Sequence, residues 1–279
     1  MPSKSSRRCP SDIGRKKSLK VICENPANLG FVRSAVGLLK DHAAQLKITV
    51  QTDAFSDYGT DEIAEALVSL RLTDATKREE RAIDSFALRE FEKRALTGSS
   101  RSRGVPCEGV GLMKLYLKLL PSSCAEEACI VITDRLIMTW SDDDLRYHAR
   151  VVVFGFPNVI SMSGLVEAPA RPREYYLAKQ ALDYSGIGVA DRALSEQFSG
   201  RFIEADDERT GQVLAGYMLQ CFFYHNTLKP FCRSKDCALY NAHWQEEVIR
   251  AHVKSGKLCD GHQRMLEEMV SGGKDRQSV

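Results

Sequence analysis

Cys232 and Cys237 stand with four residues between them, and after 21 further residues Cys259 and His262 stand with two between them. No other feature restricts the chain so tightly. Two close pairs of soft donors can each span one edge of a tetrahedron through a tight turn. The connecting stretch, which holds the helical-looking AHWQEEVIRAHV, brings the pairs together. Thiolates and a neutral imidazole suit zinc, and four protein ligands close the ion against water, so one structural zinc is expected on Cys232, Cys237, Cys259 and His262. His243 and His252 lie in the connecting stretch as substitutes, but neither belongs to a close pair. A nucleic-acid-binding finger is the competing reading. Glu246 and Glu247 stand where such a finger needs a basic face, so nucleic acid is not the expected partner.

With 279 residues and 43% hydrophobic content, the chain can bury one large core or two modest ones. A net charge of +2 gives no strong field over the whole molecule. Basic residues gather at the start, where Lys4, Arg7, Arg8, Arg15, Lys16, Lys17 and Lys20 face one acid, Asp12. A disordered basic arm over 1–17 is expected, and a short flexible tail over 271–279. No early apolar run has the 7 or more residues of a signal peptide, and none approaches the roughly 18 of a membrane span. A cytoplasmic protein without a membrane partner is expected. Nine cysteines is an odd count, which in a reducing compartment favours metal over disulfides. Cys9, Cys23, Cys107, Cys124 and Cys129 are scattered and read as small buried or incidental thiols.

Periodicity gives the order of elements. LKVICE (19–24) has strand character, FVRSAVGLLKDHAAQL spaces its apolar residues as an amphipathic helix does, and KITVQTDA (47–54) alternates as a strand with one covered face. A helix with a Thr/Asp cap is expected over 60–72, and a solvated, charge-dense helix over 76–96. A short apolar segment runs over 112–120. CIVITDRLIMT (129–139) reads as a central strand entering a loop, followed by strands over 150–156 and 158–166. Helices are expected over 173–182, after Pro172, and over 206–226, the longest. Strands and helices alternate first and helices dominate later, which predicts an α+β fold with a mixed sheet.

The order of features around the cysteines resembles the archaemetzincins, zinc metallopeptidases of the metzincin clan. Their helix motif HExxHxxGxxH is followed at once by a cysteine, then four residues, a second cysteine and a methionine, and later a close cysteine pair. Cys232 and Cys237 match the first two cysteines; Cys259 and His262 match the last pair, with His in place of the final Cys. IVITDRL, RVVVFGF and ISMSGLVEAP look like the family's strand, substrate-edge strand and following loop, so the likeness spans roughly 129–266. PREYY (172–176) and LYNAHWQEE (239–247) resemble a divergent branch. The resemblance implies a zincin-like domain over 18–230 with an active-site-type helix, and a small C-terminal zinc module over 231–270.

Anchoring Cys232 sets the motif on CFFYHNTLKPF (221–231). The first histidine becomes Cys221, the glutamate Phe222, the glycine Leu228 and the third histidine Phe231; His225 keeps the second histidine, and Leu239 replaces the methionine. A zinc peptidase needs three ligands, an open position and a carboxylate to move the proton of the bound water. Phe222 moves no proton and Phe231 offers no lone pair, so no catalytic residue is expected. Cys221 and His225, at i,i+4 spacing, remain as a residual metal pair or as relics in an apolar interior beside Leu214, Met218 and Phe223. Glu167, Glu246 and Glu247 are the carboxylates nearest in chain order. Asp142, Asp143 and Asp144 read as a solvated acidic loop and His148 as a structural histidine. The expected function is a degenerate metallopeptidase relative that binds a peptide or protein ligand, with an active but unconventional zinc peptidase as the alternative and a nucleic-acid-binding scaffold led by the basic arm as a third.

Overall fold

A computed structural model describes residues 16–52, 55, 58–121, 124, 126–184 and 191–271. Most of the expected basic arm and of the C-terminal tail lies outside the described residues. The sheet begins with β1 (Ser18–Cys23), crosses through α1 (Leu29–His42) to β2 (Lys47–Gln51), and returns through α2 (Thr60–Ser69) and α3 (Phe86–Leu96). β3 (Pro106–Glu108) and α4 (Gly109–Leu119) then lead into β4 (Ala128–Thr133). β5 (Leu136–Ser141), β6 (Arg146–Ala149), β7 (Val152–Val153) and β8 (Asn158–Ser161) follow.

Five strands form a mixed sheet in the order β2-β1-β4-β8-β7, parallel except for β7, which runs antiparallel to β8 at the edge. A three-stranded sheet β3-β5-β6 stands beside it. β1 and β4 have neighbours on both sides and helices on both faces, which is why they read as near-continuous apolar runs. Leu19, Val21, Ile130 and Ile132 face one core, shared with Val32, Ala35 and Leu39 of α1. Ile22, Cys129 and Val131 face the other, shared with Leu67 of α2 and Leu112 and Tyr116 of α4.

The chain continues through α5 (Met162–Glu167), α6 (Arg173–Tyr184) and α7 (Asp191–Gln197) to the longest helix, α8 (Thr210–Thr227). α8 shares the first core with α1 and is buried on nearly every side. A short α9 (Gln245–Val248), a π-helical turn over Ile249–Ser255 and α10 (Asp260–Ser271) complete it. Cys237, Leu239, Val248 and Leu266 lie in the same core as α8. The expected α+β architecture is thus present, with a mixed sheet, a long helix against it and a C-terminal Cys/His module. No helix among the described residues is long and apolar enough to cross a membrane.

Several boundaries differ from the sequence expectation, each for a local reason. The strand expected over 150–156 is reduced to Val152–Val153, and the one over 158–166 ends at Ser161, whose hydroxyl accepts from the Gly164 N–H at 2.7 Å and starts α5. The charge-dense helix begins only at Phe86, where the Ser85 hydroxyl accepts from the Leu88 N–H; the preceding stretch forms turns and a bridge between Leu72 and Arg81. That helix is also less solvated than expected. Its Glu92 is buried and pairs with buried Arg135, which also donates to Glu24 at 2.8 and 2.9 Å, while the Tyr116 hydroxyl donates to Glu24 at 3.0 Å. α8 starts at Thr210 rather than 206, since Asp206 has φ +62° and the Asp207 carboxylate accepts from the Arg209 N–H.

Candidate functional site

Local turns gather the tail donors. The Cys232 N–H donates to Leu239 O at 2.8 Å, Cys237 N–H to Ser234 O at 3.1 Å and Tyr240 N–H to Cys237 O at 2.8 Å, folding the first pair into a knuckle. The π-helical turn closes with Gly256 N–H donating to Ala251 O, and Gly256 takes φ +58°, which glycine adopts without steric cost. That reversal delivers Cys259 and, from the first turn of α10, His262. Ala238 N–H donates to Lys257 O at 2.7 Å and ties the halves together.

One ligand atom from each of Cys232, Cys237, Cys259 and His262 lies within 4.8 Å of all the others. Cys232 Sγ is 4.0 Å from Cys259 Sγ, and His262 Nδ1 is 3.9 Å from Cys237 Sγ and 3.1 Å from Cys259 Sγ. Zinc–sulfur bonds of about 2.3 Å in a tetrahedron require S···S edges of about 3.8 Å, so the cluster fits a zinc-sized ion. The Ser234 N–H donates to Cys232 Sγ at 3.4 Å and the Cys259 N–H to Cys237 Sγ at 3.5 Å. Burial pushes the Cys237 thiol up to about 12. Burial also opposes ionisation of Cys259, but the His262 N–H and the Cys237 and Cys232 thiols outweigh it and lower its pKa. The Phe223 ring of α8 meets His262 at 5.5 Å between centroids, joining the cluster to the long helix.

α8 arranges the remaining candidates differently. Cys221 and Phe222 are fully buried, and burial drives the Cys221 thiol pKa well up. The Cys221 carbonyl accepts from Asn158 Nδ2 at 3.2 Å. His225 is buried with Nε2 against the Cys129 backbone, and burial lowers its pKa to about 4. Among the described residues, the tail cluster is the one group of three or more donors within metal-binding reach, so Cys221 and His225 are not joined by a third. Leu228, which the motif register sets on the family's glycine, ends α8 at φ +57° in the left-handed region.

A cleft of ≈ 350 Å³ lies between the segment around β7 and α8. Its lining includes Arg150, Phe154, Tyr217, Gln220, Phe231 and His243. Tyr217 and Gln220, spaced i,i+3, are the face α8 turns to it, while Phe231 packs edge-on against Phe154 at 5.6 Å. Sequence reasoning missed Tyr217, Gln220 and Arg150. Two polar-tipped side chains one turn apart in an otherwise apolar helix were the available signal.

The other carboxylates stand elsewhere. Glu167 borders a separate hollow near Arg103 and Asp206, Glu246 pairs with Arg201 at 2.8 Å, and the Glu247 carboxylate accepts from the N–H groups of His243 and Trp244. Asp142 pairs with Arg78 at 3.2 Å and Asp144 with His148 at 2.6 Å. His252 is buried against the Tyr217 ring rather than at the tail cluster.

Residues 24–269 match the Probable metallopeptidase family (DUF6775). No curated protein matches the sequence. Two similar solved structures are an archaemetzincin from Methanopyrus kandleri, at 9% identity and TM-score 0.47 over 92% of this chain and 97% of that one, and a zinc-dependent peptidase from Methanocorpusculum labreanum (strain Z), at 9% identity and TM-score 0.44 over 89% and 99%.

Proposed function

Because the chain belongs to a probable metallopeptidase family, matched over residues 24–269, we propose that it is a zinc-binding relative that has lost hydrolysis and retains its cleft for holding an extended peptide segment. The observation that carries this reading is the face α8 turns to the cleft, which is Tyr217 and Gln220 with Phe231 at its end. None of these is a carboxylate that could take a proton from water, and Phe231 cannot ligate a metal. Cys221 and Phe222 are buried in the core instead.

Zinc in this reading is held by Cys232, Cys237, Cys259 and His262. When bound it cross-links the knuckle to the start of α10 and supplies folding energy, not chemistry. β7 lies at the edge of the sheet, where an extended peptide can add as a further strand, its side chains resting on Phe154 and Phe231. Gln220 is anchored by its Nε2 donating to Tyr240 O at 3.1 Å, which leaves Oε1 for the ligand.

The test pairs an assay of peptide cleavage with one of peptide binding, both on zinc-loaded protein. Binding of random-sequence peptides without cleavage, lost in Gln220→Trp, which fills the cleft, is expected. Cleavage that depends on Cys221 and His225, together with a second zinc per chain, would instead establish the unconventional peptidase.

A further inference from the structure

Arg150 places a cation in the cleft wall with no anion opposite. It is exposed just before β7, and its Nε donates to Thr139 Oγ1 at 2.8 Å, which fixes the guanidinium against β5 through a neutral hydroxyl. Among the described residues no carboxylate pairs with its terminal amino groups. Several other arginines of the chain are paired: Arg103 with Asp206, Arg209 with Asp207, Arg201 with Glu174 and Glu246, and Arg250 with Asp236.

The rest of the cleft adds no negative charge. Tyr217, Gln220, Asn241 and His243 are its other polar lining groups, and none is acidic. The Tyr217 hydroxyl has no hydrogen-bond partner among the described residues. Glu246 and Glu247, next in the chain after the cleft's Asn241–His243 wall, are held by Arg201 and by backbone N–H groups. A concave site with one fixed, unpaired guanidinium and no acid concentrates anions. A guanidinium takes a carboxylate through two parallel hydrogen bonds, an arrangement that a lysine in its place would not reproduce.

We propose that the ligand of this cleft presents a carboxylate to Arg150, with the Tyr217 hydroxyl available as a second donor. This rests on the reading of the cleft as a peptide site and names the class of peptide it takes. The carboxylate comes from an Asp or Glu side chain or from a free C-terminus; the chemistry at Arg150 is the same.

The experiment uses zinc-loaded full-length protein and four fluorescein-labelled pools of random hexapeptides, read by fluorescence anisotropy. One pool has a fixed central Glu and an amidated end, one a fixed Gln and an amidated end, one a fixed Gln and a free carboxyl end, and one a fixed Lys and an amidated end. The Glu pool, or the free-acid pool if the terminus is the source, should bind about tenfold tighter than the amidated Gln pool. Arg150→Ala should erase that difference, and Arg150→Glu should transfer the preference to the Lys pool, a gain that misfolding cannot produce. Equal binding of all pools, or a preference that survives in Arg150→Ala, overturns the carboxylate assignment while leaving the peptide cleft standing. Absence of binding by every pool overturns the peptide reading and this inference with it.

Discussion

Nε2 of His225 lies 3.1 Å from the backbone nitrogen of Cys129 and 2.9 Å from its carbonyl oxygen. The one histidine of α8 is therefore spent on the start of β4 and not on the cleft. Cys221, one turn earlier, sits in the core of the same helix, its carbonyl held by Asn158.

That burial has a pH signature. His225 and His252 are both lowered by burial from 6.5 to about 4. Between those values the unfolded chain binds protons that the folded chain does not, so stability is full above about 6.5 and falls as pH drops towards 4. Urea midpoints measured from pH 7.5 to 4 should decline through this window, with a shallower decline in His225→Gln. A midpoint that stays level to pH 4.5 would contradict the neutral buried histidines.

Zinc content after exhaustive dialysis should be one ion per chain. Cys259→Ser should release or loosen it and lower the melting temperature, and chelation of the wild type should do the same. Cys221→Ser should leave the zinc content unchanged. Two ions per chain, one surviving in Cys259→Ser, would mean that α8 holds a metal.

Leu228 holds φ +57° at the end of α8. A left-handed conformation costs a residue with a side chain about 1–2 kcal/mol, which glycine avoids at some cost in unfolded-chain entropy. Leu228→Gly should raise stability by up to about 1 kcal/mol, read from chemical denaturation. A loss of more than that would show that the leucine side chain matters more than its backbone.

Gly216 touches the His252 ring so closely that an added Cβ would stand 2.5 Å from it. The ring is buried and packs edge-on against Tyr217, so moving it aside would break that contact. Gly216→Ala should therefore destabilise by about 1–3 kcal/mol despite its better helix propensity. An unchanged or higher melting temperature would refute the close approach.

Glu92 and Arg135 form a buried ion pair between α3 and the end of β4. Arg135 keeps its bonds to Glu24 but loses its second carboxylate, so Glu92→Ala should cost about 1.5–3 kcal/mol. A surface-like cost below about 1 kcal/mol would show that water reaches Arg135.

Much of this was legible in the chain. The largely apolar runs at Leu19–Cys23 and Cys129–Thr133 identified strands, the second as a central one, because a strand covered on both faces is apolar over most of its length. The tail cysteines identified their own neighbourhood because knuckle geometry is local. Less legible were the ends of elements. Ser161 and Ser85 cap helices inside stretches that read as continuous strand or helix, since a single side-chain hydrogen bond decides the boundary and periodicity does not sense it.

Local spacing alone therefore determined which residues can meet as metal donors, because Cys232 with Cys237 and Cys259 with His262 are joined by short turns. It also determined that position 222 of α8 carries no titratable group, since phenylalanine has none wherever it points. Which face of α8 looks into the cleft was decided only by tertiary packing. A helix apolar on nearly every side has no preferred orientation of its own, and the sheet and α1 on one side and the π-helical turn on the other fix its rotation. That rotation buries Cys221 and His225, turns Tyr217 and Gln220 to the cleft, and sets them beside Arg150 from a strand edge far away in sequence.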